Sequence, residues 1–117
     1  MKKISVVILN WNGVEMLQKF LPKVVEYSRG EGVEVCVADN GSTDESVAWV
    51  QANCPDVRLV VLDKNYGFAD GYNQAFQQLE AEYVVLLNSD VEVTPHWLKP
   101  MLAYMDLIPK WQLVSPR

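Results

Sequence analysis

The chain has 117 residues, of which 50% are hydrophobic and 21% charged, a composition that fits one globular domain and is too short for two. Its net charge is −5 and its Lys and Arg residues form no cluster, which argues against nucleic-acid binding because that binding depends on concentrated positive charge. No apolar run is long enough to cross a membrane, and the run near the start stops at Asn10, too early for a secretory signal peptide.

Four apolar, β-rich runs predict four strands. They occupy residues 4–9, 33–38, 57–62 and 83–87. The fourth is an unbroken run of five apolar residues, which is typical of a strand buried on both faces of a parallel sheet. Leu113 and Val114 indicate the start of a fifth strand close to the end of the sequence.

The segments between the strands have helical spacing of their apolar residues. Helices are predicted from residue 14, after residue 42, over about residues 69–79 and over about residues 96–105. Pro22 lies inside the first of them and is expected to kink or divide it. Ser42 and Glu45 have the spacing of a capping box, which predicts Ser42 as the N-cap of the second helix. Thr94 and Pro95 fit an N-cap followed by a first-turn proline, which predicts a helix beginning at the next residue.

The predicted order is βαβαβαβαβ with short connections. It indicates an α/β fold with a largely parallel sheet and helices on both faces. Because the chain ends in a strand with nothing to cover it, we expect these 117 residues to be a fragment of a longer protein.

The two cysteines, Cys36 and Cys54, lack metal-ligand spacing, and only one histidine is present to join them. Free thiols in a reducing compartment are therefore expected. A catalytic thiolate is the alternative, but no basic residue near either cysteine supports it.

The first four predicted strands each end in a polar cluster. The clusters are Asn10/Asn12, Asp39/Asn40, Asp63/Asn65 and Asn88/Asp90. Turns favour Asn and Asp, which is sufficient to explain any one cluster. Four together indicate a site for a polar ligand, because the carboxyl ends of parallel strands meet along one edge of a sheet, where open α/β sheets bind ligands.

Three features of this edge have their own chemistry. The carboxylate of Asp39 can accept hydrogen bonds from a nucleobase or a ribose hydroxyl, or it can form the turn that leads to the next helix. Gly67 and Gly71 let the backbone approach a ligand closely or turn sharply. Asn88 and Asp90 offer oxygen ligands that suit Mg²⁺ or Mn²⁺ shared with a diphosphate, although Asp90 also fits a simple turn aspartate.

Four motifs together resemble glycosyltransferase family 2, in particular its rhamnosyltransferase-like bacterial members. They are residues 5–13 (SVVILNWNG), 37–46 (VADNGSTDES), 65–75 (NYGFADGYNQA) and 86–98 (LLNSDVEVTPHWL), and they span nearly the whole chain. The resemblance implies the nucleotide-diphospho-sugar transferase fold, which is Rossmann-like and also called GT-A. It also implies transfer of a sugar from a nucleoside-diphosphate sugar with inversion at the anomeric carbon, in bacterial cell-wall or polysaccharide biosynthesis.

The resemblance also implies roles for individual residues. Asp39 would contact the nucleotide base, and Asp90 would be the metal ligand of a DxD-like motif, binding Mg²⁺ or Mn²⁺. The motif departs from the family pattern at its first position, where Asn88 makes the site less charged. The residues assigned to the nucleotide sugar are Asn10, Asn12, Asp39, Gly67, Gly71, Asn73 and Asn88.

Family members continue into an acceptor-binding half that supplies a catalytic Asp or Glu. The resemblance therefore implies that residues 1–117 are the donor-binding half and do not turn over alone, with the base in the missing part. The acceptor would be a saccharide or a lipid-linked molecule, in the cytoplasm, with the missing part in peripheral contact with the inner face of the membrane.

Two other classes of protein fit the element order. A non-catalytic sugar-nucleotide-binding module, or a degenerate transferase, would share every motif. A phosphoryl-receiver signalling domain needs an acidic pair after the first strand, which Asn10 and Asn12 cannot supply.

Overall fold

The computed structural model describes residues 3–30 and 32–98. Strands and helices alternate through this part of the chain as predicted. In order they are β1 Ile4–Asn10, α1 Val14–Tyr27, β2 Val33–Asp39, α2 Ser46–Asn53, β3 Arg58–Val61, α3 Phe68–Phe76 and β4 Tyr83–Leu87. The predicted strand at Leu113 and Val114, and the predicted helix beyond Leu98, lie outside the described residues.

The four strands form one sheet in the order β3-β2-β1-β4, and every neighbouring pair is parallel. The chain builds outward from β1 through β2 to β3 and then returns to place β4 on the other side of β1. The boundary between β1 and β4 is therefore a topological switch point, and the crevice outside the carboxyl ends of the strands at such a point is where open α/β sheets bind ligands.

Both faces of the sheet are covered, as the sequence predicts. On one face α1 and α2 bury their apolar residues against alternate strand residues such as Val6, Val37 and Val85. On the other face α3 packs Tyr72 and Ala75 against the intervening residues of the same strands. Because both faces are covered, apolar residues follow one another without alternation over most of the strand length, as in residues 6–9 of β1 and 83–87 of β4.

Pro22 was expected to kink or divide the first helix, and the expectation that it divides the helix is wrong. The helix continues to Tyr27 and buries Leu17, Leu21 and Val24, each 1% exposed or less. A proline in a helix interior costs about 3 kcal/mol. Burying one aliphatic side chain contributes about 1.5–3 kcal/mol, so three of them outweigh the proline.

The predicted start of a helix at His96 is also wrong. His96 has a φ of 64°, in the left-handed region. In the segment that follows β4, the first residue with helical conformation is Leu98. After β4 the chain returns to the face covered by α1. There Leu98 is buried, and Trp97 donates a hydrogen bond from Nε1 to Oγ of Ser28 at 3.1 Å.

None of the three helices in the described ranges has the length and apolar character that a membrane crossing requires.

Both cysteines are free thiols, as expected from the sequence. Burial raises the pKa of Cys36 to about 12, and the carboxylate of Glu34 adds to this shift. Burial also raises the pKa of Cys54, which is only partly buried. Neither thiol is therefore an activated nucleophile.

These surroundings predict unequal labelling of the two thiols. In the folded protein a thiol reagent at mildly alkaline pH is expected to modify Cys54 slowly and Cys36 only after denaturation. Peptide mass spectrometry of the labelled protein measures the two rates separately. Equal rates would contradict the buried position of Cys36.

Candidate functional site

The polar clusters that follow the strands lie along one edge of the sheet. In the strand register Asn10 is paired with Asp39, and Asp39 with Val61. β4 ends at Leu87, level with Ile8 of β1. The loops after all four parallel strands therefore begin at the same edge, which confirms the expectation drawn from the sequence.

Asp39 and Asn10 are buried at the centre of this edge, each 1% exposed. Nδ2 of Asn10 donates to Oδ1 of Asp39 at 3.0 Å. Ser42 donates from its hydroxyl to Oδ1 at 2.7 Å and from its backbone N–H to Oδ2 at 2.9 Å. Asp39 thus binds two neighbouring loops through both oxygens, and Oδ2, which accepts one hydrogen bond, retains capacity for a further donor.

Ser42 is not the N-cap of α2, so the capping-box prediction is wrong. Its hydroxyl donates to Asp39 and accepts from the backbone N–H of Asn12 at 2.8 Å, and its own N–H points to Asp39 rather than Glu45. These local hydrogen bonds compete successfully with helix capping. The helix begins four residues later, at Ser46.

Asn12 joins the loop after β1 to the loop after β2. It adopts a φ of 49°, a left-handed conformation that asparagine tolerates better than most residues. Its Oδ1 accepts hydrogen bonds from the backbone N–H groups of Thr43 at 2.7 Å and Asp44 at 3.2 Å. The predicted nucleotide-pocket residues Asn10 and Asn12 therefore both fasten these two loops together.

Asp44, which the sequence analysis did not single out, joins the starts of two helices. Its carboxylate accepts from the backbone N–H of Ser46 at 2.9 Å and from that of Val14 at 3.2 Å. Burial raises the pKa of Asp44, but the hydrogen bonds from Ser46 and Val14 outweigh this and hold the pKa below its usual value. An aspartate two residues before a helix is the signal that could have identified it.

Replacing Asp44 by alanine is expected to lower the free energy of unfolding at neutral pH by about 1 kcal/mol, the typical cost of a lost helix cap. The pKa of Asp44 is lower in the folded state, so its contribution is complete above about pH 4, where an unfolded aspartate is ionised. The contribution is lost as the pH falls through the folded pKa. Urea unfolding of both proteins across this range should show the difference shrinking toward acid; a constant difference would contradict the assignment.

Gly67, just before α3, and Gly71, in the first turns of α3, have different environments. Gly67 has a φ of 82° and a ψ of −175°, a conformation essentially restricted to glycine, and no atom lies near the position of a Cβ. Gly67 therefore provides the sharp turn into α3. Gly71 is buried and faces a protein side chain, that of Asn40, while Asn73 is exposed on the same helix.

Asn88 and Asp90 are exposed just beyond β4, and Ser89 between them is partly buried. A turn follows, in which the N–H of Val91 donates to the carbonyl of Asn88 at 3.2 Å. Across residues 3–30 and 32–98 no three His, Cys, Asp or Glu side chains are grouped to hold a metal. The amide oxygen of Asn88 and the carboxylate of Asp90 could hold a cation such as Mg²⁺, which uses one or two protein carboxylates and takes its other oxygens from phosphates and water.

Residues 5–111 match the family described as glycosyl transferase family 2. The chain belongs to glycosyltransferase family 2. Its element order, parallel sheet and polar carboxyl edge are those expected from the four motifs, so the resemblance is confirmed.

Two relatives illustrate how far the similarity extends. The chain is 32% identical over 110 residues to the uncharacterized glycosyltransferase YfnE of Bacillus subtilis, covering 92% of this chain and 26% of that protein. It is 28% identical over 107 residues to the undecaprenyl-phosphate 4-deoxy-4-formamido-L-arabinose transferase of Proteus mirabilis, covering 86% of this chain and 33% of that protein. The chain thus spans a third or less of these relatives.

Solved structures agree with this assignment. The mannosyltransferase PcManGT of Pyrobaculum calidifontis, in complex with GDP-Man and Mn²⁺, superposes with a TM-score of 0.77 at 22% identity, over 89% of this chain and 32% of that chain. S. aureus TarS in complex with UDP-GlcNAc gives a TM-score of 0.74 at 28% identity, over 90% of this chain and 31% of that chain. The α/β fold predicted from the sequence is therefore the GT-A glycosyltransferase fold, and this chain covers about a third of each of these two structures.

Proposed function

We propose that this family 2 chain is the donor-binding half of an inverting glycosyltransferase. The enzyme moves a sugar from a nucleoside-diphosphate sugar to a saccharide or lipid-linked acceptor. The observation that carries the proposal is the single polar edge, where buried Asp39 and exposed Asp90 follow strands on opposite sides of β1. The position between them is the switch point at which this class of sheet binds ligands.

Each end of the donor has residues suited to it. Asp39 and Asn10 form a fixed polar surface beneath the base, on which a carboxylate oxygen can accept from a base N–H. Trp11 is 55% exposed in the loop directly after β1 and offers an aromatic face for stacking. Similarity to the P. calidifontis and S. aureus structures, which contain GDP-Man and UDP-GlcNAc, supports a nucleotide sugar as the ligand.

The diphosphate end of the donor lies near Asp90. Asp90 and Asn88 would hold a divalent cation there, Mg²⁺ or Mn²⁺, through oxygen atoms. When bound, such a cation neutralises charge on the departing diphosphate. Mn²⁺ in the P. calidifontis complex supports this role for a cation in proteins of this fold.

The acceptor hydroxyl must lose a proton as it attacks the anomeric carbon, and an Asp or Glu of the acceptor-binding half would serve as the base for this step. The P. mirabilis relative is an undecaprenyl-phosphate transferase, which supports a lipid-linked acceptor as one class. We place the protein in the cytoplasm, with its acceptor half in peripheral contact with the inner membrane face.

The test uses the complete protein, meaning this chain with any sequence that follows Arg117 in its gene. Calorimetry with Mn²⁺ and a panel of sugar nucleotides is expected to find one that binds, and product analysis is expected to find an inverted glycosidic linkage. The 117-residue chain should bind the same nucleotide without transferring its sugar. Binding without transfer by the complete protein would instead indicate a non-catalytic sugar-nucleotide-binding module.

A further inference from the structure

We infer that Asn40 is a positioning residue for the donor site. It holds residues 63–67, here called the β3–α3 loop, in place against the end of β2. The inference rests on the proposed function, because the surface that Asn40 positions is the proposed donor pocket. Asn40 does not contact the donor in this account and acts through the loop.

Asn40 is 3% exposed, and its side-chain amide makes three hydrogen bonds, all to the β3–α3 loop. Oδ1 accepts from the backbone N–H of Tyr66 at 2.9 Å. Nδ2 donates to Oδ1 of Asn65 at 3.1 Å and to the carbonyl oxygen of Gly67 at 3.0 Å. Both amide hydrogens and one lone pair are used, and the Tyr66 and Gly67 contacts fix which end of the amide is oxygen.

Two glycines allow close packing here, Gly71 against the Asn40 amide and Gly41 against the β3–α3 loop. A Cβ on Gly71 would lie 2.9 Å from Nδ2 of Asn40, and a Cβ on Gly41 would lie 2.6 Å from the carbonyl carbon of Lys64. The first contact shows that Gly71 makes room for Asn40, where the sequence analysis expected close approach to a ligand or a sharp turn. The second shows that the loops after β2 and β3 touch through their backbones.

Two consecutive residues at the end of β2 therefore fix opposite sides of the site. Asp39 binds toward the loop after β1 through Asn10, and Asn40 binds toward the loop after β3. The loop that Asn40 holds runs directly into α3, which begins at Phe68. Without the three hydrogen bonds of Asn40, the β3–α3 loop and the first turn of α3 could move away from the position in which they face the donor.

The experiment compares Asn40→Ala with the wild type in the complete protein. The KM for the sugar nucleotide is expected to rise about tenfold with kcat changed less than about threefold, because a loop that is competent only one-tenth of the time weakens binding by that factor. Asn40→Asp keeps the acceptor for the Tyr66 N–H but sets a buried carboxylate oxygen against the carbonyl oxygen of Gly67 and Oδ1 of Asn65, so its KM is expected to rise at least as much as that of Asn40→Ala. Asn53→Ala is the matched control, since it removes an exposed amide that donates to Trp49 in α2, and it should leave KM unchanged.

Amide hydrogen exchange provides a reading that does not depend on the ligand. In Asn40→Ala the amides of Tyr66 and Gly67 are expected to exchange faster, while those of β1 and β4 keep their protection. If Asn40→Ala lowers Tm but leaves both KM and these amides unchanged, the residue is merely structural and the inference is wrong. If Asn40→Ala fails to fold, the same criteria apply to Asn40→Ser, which keeps a small neutral polar side chain at this position.

The two proposals fail in different ways. If the wild-type complete protein binds no sugar nucleotide, the proposed function is overturned, and the donor role of Asn40 with it, whatever the exchange shows. If the wild type binds its donor and Asn40→Ala binds it equally well, only the role of Asn40 is overturned.

Discussion

Replacing Asp90 by alanine in the complete protein is expected to lower kcat at least about a hundredfold, because a metal that neutralises a departing diphosphate contributes several kcal/mol to the transition state. Asp90 is exposed beyond β4, so its removal should leave the free energy of unfolding nearly unchanged. The concentration of Mn²⁺ needed for half-maximal activity should rise in the same variant. Steady-state assays over a Mn²⁺ titration measure both effects.

Asp56→Ala is the control for this experiment. It removes the same charge from an exposed aspartate between α2 and β3, at the opposite edge of the sheet. Its activity and Mn²⁺ dependence should match the wild type. Equal losses of activity in the two variants would mean that Asp90 acts only through net charge. A fully active Asp90→Ala variant would show that Asp90 is not a metal ligand.

Replacing Asp39 by alanine is expected to lower the free energy of unfolding by at least about 2 kcal/mol, since each buried donor left without an acceptor costs about 1–3 kcal/mol. The donors that lose their acceptor are the amide of Asn10 and the hydroxyl and backbone N–H of Ser42. Binding of the sugar nucleotide should be lost as well, because the same carboxylate is proposed to contact the base. Urea unfolding and calorimetry measure the two effects separately.

Asp63→Ala is the matched variant, because Asp63 also follows a strand at this edge but is exposed and accepts a hydrogen bond from the hydroxyl of Tyr66. Its free energy of unfolding should change by less than about 0.5 kcal/mol, as for most surface substitutions. If Asp39→Ala were no less stable than Asp63→Ala, the buried network would not hold the loops. If it were unstable yet bound the donor normally, Asp39 would position loops without contacting the base.

The sheet was predictable because burial on both faces favours long apolar runs, and the helix-length segments between these runs allow the crossovers that parallel pairing needs. The common edge of Asn10, Asp39 and Asp90 follows from that topology alone. Composition and pattern were therefore sufficient for the fold, and four motifs in order were sufficient for the family.

The details of the edge were less predictable, because the same polar residues serve turns, caps and loop-to-loop contacts equally well. Ser42 fits a capping box, but Asp39 lies three residues before it and takes both of its donors. Gly71 fits close approach to a ligand, but its neighbour is Asn40, which is distant in the chain. Spacing along the sequence cannot distinguish these partners, since they are determined by loops that meet only in the folded sheet.

The most direct measurement is a structure of the complete protein with its sugar nucleotide and Mg²⁺ or Mn²⁺ bound. The base should lie against the loops held by Asp39 and Asn10, and the cation should be coordinated by a carboxylate oxygen of Asp90, at about 2.1 Å for Mg²⁺. Both contacts would then occur at the carboxyl edge, on either side of β1. A nucleotide bound elsewhere, or a cation held without Asp90, would contradict the account.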